Sequence, residues 1–146
     1  MKNLLLPYPW KQAGYLLTFA GMMLAILYFL FDFRFSIPVF AVVSSFLETR
    51  MFVTFRTNFA DELILLLLIC GLGLIVCSKE KSESEIMDAL RSGAFIRAII
   101  ANTSLLLFSV LFVYGSGFLA VLTLNIFSFP VFYLLFFHLR RQREKD

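Results

Sequence analysis

Four apolar runs, each close to the length at which a helix crosses a bilayer, constrain this chain more than any motif in it. A hydrocarbon core about 30 Å thick takes roughly 20 residues of helix at about 1.5 Å per residue. Residues 13–31 (AGYLLTFAGMMLAILYFLF) contain no charge at all. Residues 62–77 (ELILLLLICGLGLIVC) are slightly short but uninterrupted, and residues ahead of Asp61 can extend them. The third and fourth runs cover about 95–114 and 118–137, separated by Gly115-Ser116-Gly117, so they fold back on each other as a tight antiparallel pair.

Composition argues the same way. Hydrophobic residues are 60% of the 146, nineteen of them Phe, and mean hydropathy is +0.87. A water-soluble fold this short hides only about two thirds of the surface its unfolded chain exposes, so lipid has to solvate the rest. The expected fold is an all-α four-transmembrane-helix bundle, one integral membrane domain over residues 1–146, with an interfacial outer segment between helices 1 and 2.

Charge sets the expected orientation. Lys2 and Lys11, then Lys79, Lys81, Arg91 and Arg97, then Arg140, Arg141, Arg143 and Lys145 fall on one side of the spans. Only Arg34, Arg50 and Arg56 fall on the other. Cationic loops resist translocation, so both termini are expected in the cytoplasm. Trp10 and Tyr15 beside Lys11 suit an inner aromatic belt. The first span is too long for a secretory signal, and no small-x-small cleavage pattern follows at Phe31-Asp32-Phe33.

Residues 32–61 are the irregular part. IPVFAVVSSFL at 37–47 is apolar but too short to cross, which suggests a short helix or re-entrant piece at the outer interface. MFVTFRTNF at 51–59 has no clean period and leaves strand and helix open. The segment reads as an interfacial cap, with a ligand-sensing or entry element as the sharper alternative. Asn58, Asp61 and Glu62 then stand at the outer end of helix 2, where capping oxygens and negative charge are favoured. A cation or proton site made with Arg50 or Arg56 is the alternative, weakened by its nearness to the surface.

The loop SKEKSESEIMDALRSGAFIR, Ser78 to Arg97, has a capping box in Ser82 and Glu85. A helix is therefore expected from about Glu83, running on into the third span with Ile86, Leu90, Gly93 and Ala94 on one face. Acids precede bases along it, matching the helix dipole, and Asp88 can pair with Arg91. A solvated helix entry explains such a run. As a docking surface for a cytoplasmic protein, its candidates are Glu83, Glu85, Asp88 and Arg91. Glu85 and Asp88 alone make a poor divalent-metal site.

Inside the spans, Asn102 and Asn125 are the polar residues that need partners. Counted from the Gly115–Gly117 turn they differ in depth by about 7 Å, so the count predicts that they do not face each other. Asn102 is expected nearer Pro130, whose missing N–H frees a carbonyl near Ile126. Helix–helix adhesion is the ordinary role for such amides, and lining a polar path is the alternative.

Several catalytic readings fail on inventory. His138 is the one histidine, and Cys70 and Cys77 lie seven apart on one helix, beyond disulfide reach. No span holds a buried carboxylate, and no phosphate loop or paired-Asp motif occurs. No catalytic, cofactor or metal site is expected. Gly71 and Gly73, with Gly21 and Ala25, read as close-packing surfaces between helices or between copies of the chain. The basic tail HLRRQREKD reads as an anchor to anionic lipid and is too short for direct nucleic-acid binding.

Asn58, Asp61-Glu62-Leu63, Ser78-Lys79-Glu80-Lys81, Glu83-x-Glu85-Ile86, Leu90-Arg91, Asn102, Tyr114-Gly115 and Asn125-x-Phe127 together resemble a group of small four-span membrane proteins of Bacteroidota-type bacteria. The likeness covers about residues 55–137. The chain departs from it at Glu83-Ser84-Glu85, where the group has a contiguous Glu-Asp-Glu. The group has no assigned reaction, but similar small multispan proteins are often encoded beside short helix-turn-helix regulators. The resemblance implies a bacterial inner-membrane protein, a membrane-bound partner of a cytoplasmic switch. A small transporter or channel subunit, with Asn102 and Asn125 along its path, is the competing expectation.

Overall fold

Helix α1 (Tyr8–Phe31) leads through strands β1 (Ser36–Ser44) and β2 (Arg50–Asn58) to α2 (Ala60–Cys77), α3 (Glu85–Phe112) and α4 (Ser116–Arg143). This computed structural model describes residues 5–44, 50–81 and 85–144. Each of the four long apolar runs is helical, but for Val113 and Tyr114 at the end of the third, because backbone polar groups in hydrocarbon must be satisfied within their own segment. The helices also outrun the apolar stretches. Pro9 lies in the first turn of α1, where its missing N–H breaks no helical bond, and α4 continues through the basic Arg140–Arg143 turn.

All four helices are long and apolar enough to cross a membrane, and at most 22% of any spanning window is buried by protein. Phe19, Phe29, Leu107, Leu111 and Leu124 are among the large apolar side chains left exposed. Helices apolar all round with so little protein cover are stable only where lipid covers them, so the chain is built as a multi-pass integral membrane protein.

Four spanning helices make up most of the chain, as the all-α expectation has it, and the connection between α1 and α2 is the one described stretch that differs. Residues 37–44 of the 37–47 piece, expected as a short helix or re-entrant segment, instead belong to a strand, Ser36–Ser44, paired antiparallel with Arg50–Asn58. Ser36 lies opposite Asn58, Ile37 opposite Thr57 and Val39 opposite Phe55. Residues 45–49, the end of the expected apolar piece included, lie outside the described residues. Exposure alternates with the two-residue period of a strand: Ile37, Val39 and Ala41 are half-buried, whereas Pro38, Phe40, Thr54 and Arg56 are exposed. Pro38 is tolerated because both strands of a two-stranded sheet are edges.

The chain divides into two compact units, Leu17–Leu68 and the residues on either side of it. In the first, the hairpin closes on itself and Gly21 packs on α2, where a Cβ would meet Leu67 and Leu68 at 3.0–3.1 Å. In the second, α3 and α4 pair around Leu90, Ala94, Ala98, Tyr133 and Phe137. Alanine at 94 and 98 lets the α4 aromatics lie close to the α3 backbone, and Tyr133 and Phe137 stack with centroids 6.1 Å apart. Gly14 meets α2 so closely that a Cβ would stand 2.8 Å from the Gly71 carbonyl oxygen. Gly73, expected at a packing surface, faces open space.

Candidate functional site

The polar chemistry of the second unit gathers where α1 begins, α2 ends, α3 begins and α4 ends. Leu6 donates its N–H to the Cys77 carbonyl, and Lys79 donates to the Leu6 carbonyl, both at 2.9 Å. This pins the segment ahead of α1 beside the Ser78-Lys79-Glu80 exit of α2. Ser78 is 2% exposed and turns its hydroxyl back to the Leu74 carbonyl, satisfying one orphan acceptor of the helix end. Glu80 then faces α1 and α4 together. The Lys11 ammonium donates to its Oε1, and Arg141 Nη1 lies 3.3 Å from its Oε2. The Lys11 and Glu80 side chains are 8% and 11% exposed, so their charges are compensated mainly by each other rather than by water.

Asp88 and Arg91, named from sequence as docking residues, occupy the same end. Arg91 is 5% exposed, its guanidinium 6.0 Å from the Phe137 ring centroid and its Nη1 4.0 Å from Asp88 Oδ1. Arg91 therefore faces the α3–α4 core and presents no free docking surface. Glu85 opens α3, while Glu83 and the Ser82 end of the expected capping box lie outside the described residues. From Glu85 the helix runs without a break to Phe112, so charged entry and span are one rod.

Beside this core a cleft of about 290 Å³ opens between α3 and the end of α4, lined by Arg97, Arg140, Arg143 and Glu144. Ile86, expected on the packed face with Leu90, is instead exposed and forms part of its wall. Gly93 explains the placement of Arg140: a Cβ there would occupy the space its guanidinium fills.

Deeper in the pair, Asn102 Nδ2 donates to Asn125 Oδ1 at 3.2 Å and Asn125 Nδ2 donates to Asn102 Oδ1 at 3.3 Å. The Ser128 hydroxyl also donates to Asn102 Oδ1. The expectation that these amides miss each other is thus overturned. It counted Val113 and Tyr114 as helix, but α3 stops at Phe112, ten residues past Asn102, while Asn125 is nine past Ser116. Counted from the helix ends they lie at nearly one level. Ser128, one turn beyond Asn125, occupies the role assigned to the backbone near Pro130.

No family model, curated protein or solved structure matches this chain.

In the first unit the residues named for the outer end of α2 come together at the hairpin base. Asn58 Oδ1 accepts from the Phe35 N–H at 3.1 Å and the Ala60 N–H at 3.3 Å, and its Nδ2 donates to Asp61 Oδ1 at 3.3 Å. One amide thus caps the helix and closes the hairpin. Asp61 and Glu62 follow in the first turn, where the dipole favours carboxylates. Among the described residues no three His, Cys, Asp or Glu side chains group as metal ligands.

What sequence reasoning missed is Glu80, the carboxylate that holds three segments. Its partners stand 69 and 61 residues away, a separation no local spacing reveals. The one available signal was an acid flanked by lysines immediately after an apolar span.

Proposed function

We propose that this protein is a non-enzymatic component of the bacterial inner membrane with both termini in the cytoplasm. Within it, we assign the chain the role of a regulatory or sensory partner of a cytoplasmic protein. The observation that carries this reading is the unbroken α3, which joins the acid-rich entry around Glu85 to the membrane span and packs on α4 through Leu90, Ala94 and Ala98. A partner bound at the entry acts on a rigid helix, so its binding and the packing of the spans are coupled. The β1–β2 hairpin, with Phe40 and Phe52 exposed and their rings 6.3 Å apart, supplies a surface on which a signal can act. The resemblance to four-span Bacteroidota-type proteins supports the same role, and the open face at Gly73 leaves room for a second copy.

The transporter or channel reading loses its main support, because Asn102 and Asn125 spend their hydrogen bonds on each other and on Ser128.

Crosslinked capture from native membranes tests the proposal. The wild-type chain is expected to retain a cytoplasmic protein that Glu83→Lys/Glu85→Lys releases at unchanged membrane level. Arg91 is left intact because it is buried. Equal capture by the variant and the wild type would remove the docking role.

A further inference from the structure

Arg97, Arg140 and Arg143 converge on the cleft between α3 and the end of α4, and among the described residues none of the three is ion-paired. The neighbouring cations behave otherwise, since Lys11 and Arg141 are held by Glu80 and Arg91 faces Asp88. Among the described residues Glu144 is the one carboxylate in the lining, against three guanidiniums. Like charges are gathered without internal compensation where an outside anion neutralises them.

We propose that this cleft binds the phosphate of an anionic phospholipid headgroup. Its volume of about 290 Å³ lies at the small end of ligand sites, which span about 300–1,000 Å³, and suits a headgroup rather than a folded partner. Ile86 and Leu90 supply an apolar wall beside the guanidiniums. Ile96 and Leu139, next in sequence to Arg97 and Arg140, are exposed apolar residues. A lipid offers phosphate and acyl chain in one molecule and fits both parts. Gly93 serves the site as a positioning residue, because the missing side chain lets the Arg140 guanidinium lie against α3. The inference rests on the membrane-spanning character of the chain and not on its regulatory role, so a failed protein capture leaves it standing.

Native mass spectrometry of the purified full-length protein tests it, with phosphatidylglycerol, phosphatidylcholine of the same chains, inorganic phosphate and a phosphoserine peptide as probes. Wild-type protein is expected to retain phosphatidylglycerol in clear preference to phosphatidylcholine. Arg97→Gln and Arg140→Gln should each lower its retention roughly fivefold. Arg34→Gln, which removes equal charge from the exposed pair with Asp32, should leave it unchanged. Gly93→Leu, which keeps every charge and displaces the Arg140 guanidinium, should weaken retention like Arg140→Gln. Equal retention of the two lipids by the wild type, a measurement independent of any variant's folding, would overturn the proposal. So would a loss in Arg34→Gln equal to that in Arg140→Gln, or retention of phosphate or phosphopeptide but not of phosphatidylglycerol.

Discussion

Asn102 and Asn125 bind each other reciprocally across the α3–α4 interface, each amide donating to the other's carbonyl oxygen at 3.2 and 3.3 Å. In hydrocarbon a lone amide has no water to turn to, so the pair fixes the register of the two helices. Asn102→Leu should destabilise the protein by about 1–2 kcal/mol in detergent unfolding, leaving Asn125 and Ser128 without their partner. The double variant Asn102→Leu/Asn125→Leu should cost less than the two singles added together. Additive losses would show that the amides act independently.

Glu80 makes a sharper prediction, since it compensates two cations. Glu80→Ala leaves Lys11 buried beside Arg141 without a counter-charge and should cost about 3–5 kcal/mol in thermal or denaturant unfolding. Lys11→Met/Glu80→Met, which removes the buried pair together, should recover most of that loss. A mild effect of Glu80→Ala would mean that water reaches the pair.

The glycines separate by position rather than by composition. Gly14→Val should disrupt packing on α2, because the added carbon meets the Gly71 backbone at 2.8 Å and backbone cannot swing aside. Gly73→Ala meets nothing within 4 Å and should be neutral or stabilising by up to about 1 kcal/mol through helix propensity. Melting temperatures of the two variants check the contrast.

At the hairpin base, Asn58→Ala removes the acceptor that serves Phe35 and Ala60 and should cost about 1 kcal/mol. Asn58→Asp keeps the acceptor and should retain most of the stability, while its charge lies close to Asp61. Limited proteolysis between residues 32 and 59 should speed up in Asn58→Ala and stay near wild type in Asn58→Asp.

The four spans were legible because run length is a local property and bilayer thickness sets a hard threshold for it. The hairpin was not. Ile37, Pro38, Val39, Phe40 and Ala41 are apolar on both faces of β1, so the strand period leaves no mark in hydropathy. Asn102 and Asn125 stood out as costly residues, yet their pairing depended on where α3 stops, and helix ends are the least certain feature of a pattern reading. The Ser78-Lys79-Glu80-Lys81 segment stands out in the sequence as a motif, but its work is done through contacts with Leu6, Lys11 and Arg141 that only the folded chain brings near. Arg91 looked like surface because it is charged. Its guanidinium instead covers an aromatic ring, a role open to a long side chain at the edge of a core.

Four crossings of the bilayer put the Lys11–Glu80–Arg141 end of the helices on one face. Cysteine labelling in intact cells tests this directly, using single cysteines at Lys2, Thr54 and Lys145 after Cys70→Ala and Cys77→Ala. An impermeant maleimide is expected to label the Thr54 position and to spare the other two until the membrane is opened. Labelling of the Lys2 and Lys145 positions from opposite faces would contradict it.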